Sequence, residues 1–82
     1  MIRFKLAELI SDHSFRQGRR VGWGEVSDAT GVLRSTLSKM INTRGYNATT
    51  HNIDALCKFF GCKVEDVMVF VPDTDETSPT PN

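Results

Sequence analysis

Helical periodicity in this chain comes only in short segments, each stopped by a glycine or a polar loop. Ile2, Leu6, Leu9, Ile10 and His13 recur at helical spacing and predict a first helix over 3–14. From Ser14 to Gly22 the chain is polar and basic and carries two glycines, which reads as a loop. Val26, Ala29 and Thr30 mark a short second helix that Gly31 stops, because glycine takes left-handed backbone at a helix end at little cost. Leu33, Leu37, Met40 and Ile41 share one face of a third helix over 34–42, and Gly45 ends the linker that follows it. Thr49 or Thr50 can cap a fourth helix, in which Ile53, Leu56, Cys57 and Phe60 fall at i, i+3, i+4 and i+7 before Gly61 ends it. Glu65 and Asp66 suit the positive end of a fifth helix of one or two turns containing Val67 and Met68. The run from Val67 to Val71 is β-branched enough to be a strand instead; a helix turning extended is the preferred reading.

A chain of 82 residues holds one domain with one modest core. The expected fold is therefore all-α, a compact bundle of about five short helices. The last residues, 74–82, contain no apolar side chain and two prolines, so the folded domain is expected over 1–73 with a disordered acidic tail behind it. No apolar run approaches the roughly 18 to 20 residues of a membrane span, and the N-terminus lacks the apolar segment of a signal peptide. No membrane contact and a cytoplasmic location are expected.

The formal net charge is zero, yet the charges are divided. Residues 1–46 carry eight cations against four anions, a net +4, and residues 47–82 carry two against six, a net −4. A basic half of this kind is a hint of a polyanionic partner.

The most informative segment runs from Gly24 to Ile41. Two short helices meet at a tight turn containing Gly31, with Val26, Thr30, Val32, Leu37 and Met40 as the inward residues that set the angle between them. This is the helix-turn-helix pattern, whose second helix lies in the major groove. Arg34, Ser35, Ser38, Lys39 and Asn42 form one stripe on the other face of that helix, with two cations and no acid. Arginine can fork onto a guanine edge, serine can donate or accept, and asparagine can pair with adenine or a phosphate. Bases are assigned to Arg34, Ser35, Ser38 and Lys39. Phosphates are assigned to Thr36, Asn42, Arg44, Tyr46 and Thr49, the last through the free N–H groups at its helix start. Tyr46 reads equally well as a packing residue. Arg19 and Arg20 read as a solvated loop pair, with a loose phosphate contact as the alternative.

On these residues the sequence resembles the Xre/Cro-type helix-turn-helix regulators, which include the DNA-binding domains of phage repressors. The stretch from Ser27 to Ser38 carries the resemblance, together with Ile53 to Cys62, Asp66 to Met68 and Val71 to Asp73. The resemblance covers about residues 2–73. It implies a lambda-repressor-like bundle that binds double-stranded operator DNA, commonly as a homodimer, and acts on transcription as a repressor or other regulator. Three positions depart from the family pattern. Leu33 stands where Ser or Thr usually caps the recognition helix, Trp23 stands where a Gln usually touches phosphate, and Ser27 replaces the usual Ala.

Other constellations point elsewhere more weakly. Cys57 and Cys62, with His51 upstream, match no common zinc spacing and lack a fourth ligand, so they read as two free core thiols. His13 reads as a partly buried structural histidine. No phosphate-cradling loop and no nucleophile–base set can be placed, so neither an enzyme nor a metal or cofactor is expected. The main alternative function is a protein-interaction module on the same scaffold, antitoxin-like or an anti-repressor partner.

Overall fold

The computed structural model describes residues 1–72; the acidic tail expected over 74–82 lies outside the described residues. Five helices carry the fold: α1 (Leu6–Gln17), α2 (Trp23–Thr30), α3 (Arg34–Asn42), α4 (Thr50–Phe60) and α5 (Val64–Val67). The expected five-helix bundle is thus observed, with one addition. Strands β1 (Ile2–Phe4) and β2 (Met68–Phe70) pair antiparallel and join the two ends of the chain.

That pairing corrects the expected start of the first helix. Residues 3 and 4 are extended, and α1 begins at Leu6. Ile2 stands opposite Phe70 and Phe4 opposite Met68, and the pairing continues through mutual bonds of 2.8 Å between Met1 and Val71. Helical periodicity is a local signal; here the backbone bonds come from residues more than sixty positions away in the chain, which no local pattern reports. At its other end α1 absorbs Ser14 to Gln17, so the loop is shorter than expected, and Gly18 closes the helix in left-handed backbone. Met68 belongs to β2 rather than to the fifth helix, so the helix-turning-extended reading holds with the change one residue earlier.

Leu6, Val26, Leu37, Leu56 and Val67 are the largest fully buried side chains, one from each helix, so all five helices share one core. Val21, Val32, Met40, Ile53 and Phe60 complete it. His13 lies against Phe59 and Phe60, with ring centroids 5.1 and 5.5 Å away, as the structural reading required. Cys57 and Cys62 are free and half-buried; burial first, and then the neighbouring Cys57, push the Cys62 thiol above its ordinary value. Leu33, expected on the inner face of α3, is instead 67% exposed.

Candidate nucleic-acid interface

The turn between α2 and α3 is built from its own residues. Gly31 adopts φ +79°, a left-handed conformation that a side chain would strain, and its N–H donates to the Ser27 carbonyl. The Thr30 hydroxyl donates to the Val26 carbonyl at 2.7 Å and accepts from the Val32 N–H at 3.1 Å. That hydroxyl therefore bonds back to a carbonyl one turn earlier in α2 and satisfies the first free donor of the turn, while Val26, Val32, Leu37 and Met40 close the apolar side. The angle between the helices is set by packing and hydrogen bonds together. The inward residues expected from the sequence are all present, Thr30 as a half-buried polar joint rather than as a core side chain.

Arg34, Ser35, Ser38, Lys39 and Asn42 are exposed along one side of α3. Asn42 Nδ2 donates to Ser38 Oγ at 3.2 Å, one turn back, which orients both groups along the stripe. The guanidinium of Arg34 leans back over the start of α2: a Cβ on Gly24 would lie 3.4 Å from its nearest nitrogen. Arg34 thus lies over Gly24, the residue after Trp23, near the helix start where the resemblance expects a phosphate-touching Gln. Thr36 is half-buried on the flank of α3 rather than on the stripe. Arg44 is exposed in the loop after α3, and Tyr46 is half-buried against the core. Thr49 Oγ1 accepts from the Asn52 N–H at 3.1 Å, so its side chain caps α4 and leaves the N–H groups of Thr50 and His51 at the open end.

Four of the cations in the described residues are held in ion pairs, and the three on this face are not. Arg3 is bound to Glu8, Arg16 to Asp12, Arg19 to Glu25 and Lys58 to Asp54. Among the described residues, the side chains of Arg34, Lys39 and Arg44 have no such partner. Arg19 forks onto Glu25 with bonds of 2.9 and 2.7 Å, which holds that carboxyl below its ordinary range and commits the arginine within the molecule. Arg20 beside it, and Lys5 and Lys63 elsewhere, likewise form no ion pair among the described residues. The helix starts divide in the same way. α1, α2 and α5 carry an acid in the first turn, and α3 and α4 carry none. An acid there neutralises the partial positive charge of the helix end; without one that charge is open to an outside anion.

Two features of the face were not read from the sequence: the outward position of Leu33 and the seat that Gly24 gives to Arg34. The first had a visible signal, a leucine at a capping position. The second had none, because a glycine inside a helix does not name the side chain that crosses it.

No helix among the described residues is long and apolar enough to cross a membrane. Searches of curated proteins and of solved structures each returned no match. A family model described as Cro/C1-type HTH DNA-binding domain matches residues 5–73, which takes in all five helices and the whole turn. The chain therefore belongs to the family of Cro/C1-type helix-turn-helix DNA-binding domains.

Proposed function

We propose that the protein is a transcriptional regulator that binds a palindromic operator as a homodimer and represses by occupying it. In this reading α3 lies in the major groove. Arg34, Ser35, Ser38 and Lys39 meet base edges, and Thr36, Asn42, Arg44, Tyr46 and the start of α4 at Thr49 follow the phosphates. The observation that carries the reading is the set of unpaired cations Arg34, Lys39 and Arg44 on one acid-free face, while Arg3, Arg16, Arg19 and Lys58 are neutralised by partners.

The dimer is supported by the small sheet. Phe4 and Met68 pack against the core, whereas Ile2 and Phe70, one register step outward on the same face, overhang it. Ile2 is 39% and Phe70 65% exposed on that face, while Val69 at 39% and Val71 at 40% follow on the opposite one, so apolar side chains are exposed on both faces of the joined chain ends. In this reading a twofold contact through the overhanging Ile2–Phe70 pair presents two copies of α3 to half-sites about 34 Å apart.

The test compares two arginines. Arg34→Ala should lose roughly 1–3 kcal/mol on a selected site and relax preference at one base pair. Arg44→Ala should weaken all duplexes alike and lower the salt slope by about one unit. Equal weakening of selected and scrambled duplexes by Arg34→Ala would make Arg34 a phosphate contact. If neither variant changes binding, the face is misassigned and the protein-interaction module is the better reading.

A further inference from the structure

Leu33 is at odds with two local rules for its position. It is the N-cap of α3, where Ser, Thr, Asp or Asn would accept a hydrogen bond from the first turn, and it makes no side-chain cap. It stands on the inner face by periodicity, yet its extended backbone (φ −62°, ψ 145°) swings the side chain off that face and leaves it 67% exposed. It is absent both from the core and from the residues packed against the core. An isolated exposed leucine needs no explanation by itself. One that also forgoes a cap gains nothing inside the monomer, and residues that break a local rule without internal compensation collect at functional positions.

Its surroundings say what the gain is. Leu33 precedes Arg34 and Ser35 at the N-terminal tip of α3, the part of a recognition helix that enters the major groove most deeply. The only apolar group that duplex DNA presents in that groove is the thymine C5-methyl. Resting on the DNA-binding reading above, we infer that Leu33 is a specificity-determining residue that packs against a thymine methyl in the operator half-site. The polar stripe then reads hydrogen-bonding edges, while the capping position reads the one base feature that hydrogen bonds cannot.

The experiment uses the full chain and duplexes selected from a random library. Each thymine of the preferred site is replaced in turn by deoxyuridine, which keeps every hydrogen bond and removes only the methyl. The parent protein should lose about fourfold in affinity at one position per half-site, the worth of one buried methyl-sized group. Leu33→Ser restores a cap, so it should melt higher than the parent, bind the thymine site about as weakly as the parent binds the uracil site, and no longer distinguish the two. Leu33→Met keeps an apolar tip and should retain the distinction. A parent indifferent to every thymine methyl, or a Leu33→Ser protein that remains sensitive at the same position, overturns the role of Leu33 alone. A parent that enriches no sequence overturns base reading by α3 altogether, and the inference with it.

Discussion

Leu33 and Leu37 stand one turn apart on α3, and by periodicity alone they are equivalent; the structure makes them opposites. Leu37 is 1% exposed and Leu33 is 67% exposed. Leu37→Ala deletes three carbon groups from the core. At about 0.8 kcal/mol each the transfer loss is about 2.4 kcal/mol, and an unrelaxed cavity raises the total toward about 5 kcal/mol. A domain of this size is stable by roughly 4 to 12 kcal/mol, so the loss is a large share of the whole. At about 4–8 °C per kcal/mol, the melting temperature should fall by at least roughly 10 °C. Leu33→Ala removes carbons that are already mostly in water and replaces one poor cap with another. Its cost should stay under about 1 kcal/mol, and the shift under about 8 °C. Both variants are to be melted by circular dichroism at one fixed protein concentration, because the midpoint of any protein that dimerises depends on concentration. Equal losses for the two would show that α3 is rotated from the orientation described, and with it the stripe that faces outward.

Further predictions follow from other contacts. Gly24→Ala should raise stability in urea by at most about 0.5–1 kcal/mol, the mid-helix value, because it replaces a first-turn glycine of α2 and the new Cβ meets only the movable end of Arg34; a loss would show that Arg34 is fixed in its seat. Arg3 holds the Glu8 carboxyl below its ordinary value, and Arg19 does the same to Glu25. Each pair therefore contributes fully above the ordinary glutamate range and loses its contribution as pH falls through the lower folded value. A Glu8→Gln, Glu25→Gln double variant should show a shallower fall in melting temperature between about pH 5 and pH 3, most clearly at low salt; an unchanged slope would mean that the pairs are not populated in solution. Phe70→Lys should leave the helical spectrum unchanged and convert a dimer at tens of micromolar to a monomer by sedimentation. A parent that sediments as a monomer with and without DNA would remove the dimer.

Much of this protein is legible without its structure, because its helices are bounded by residues that act locally. Gly31, Gly61 and the Thr49 cap do their work within one turn of chain, and all three stand where the sequence places them. The acid-free stripe is also a local fact, since Arg34, Ser35, Ser38, Lys39 and Asn42 depend only on helical spacing to share a side. Tertiary structure decided the rest, wherever a residue's surroundings come from distant chain. Residues 2–4 became a strand because 68–70 supplied hydrogen bonds that a helix start could not match. Leu33 left the inner face because its backbone is extended as the chain enters α3 from the turn, and periodicity describes only residues already inside a helix. Which cations remain free was likewise beyond the sequence: Arg19 and Arg34 look alike along the chain, and only folding brought Glu25 to one and left the other open to an outside anion.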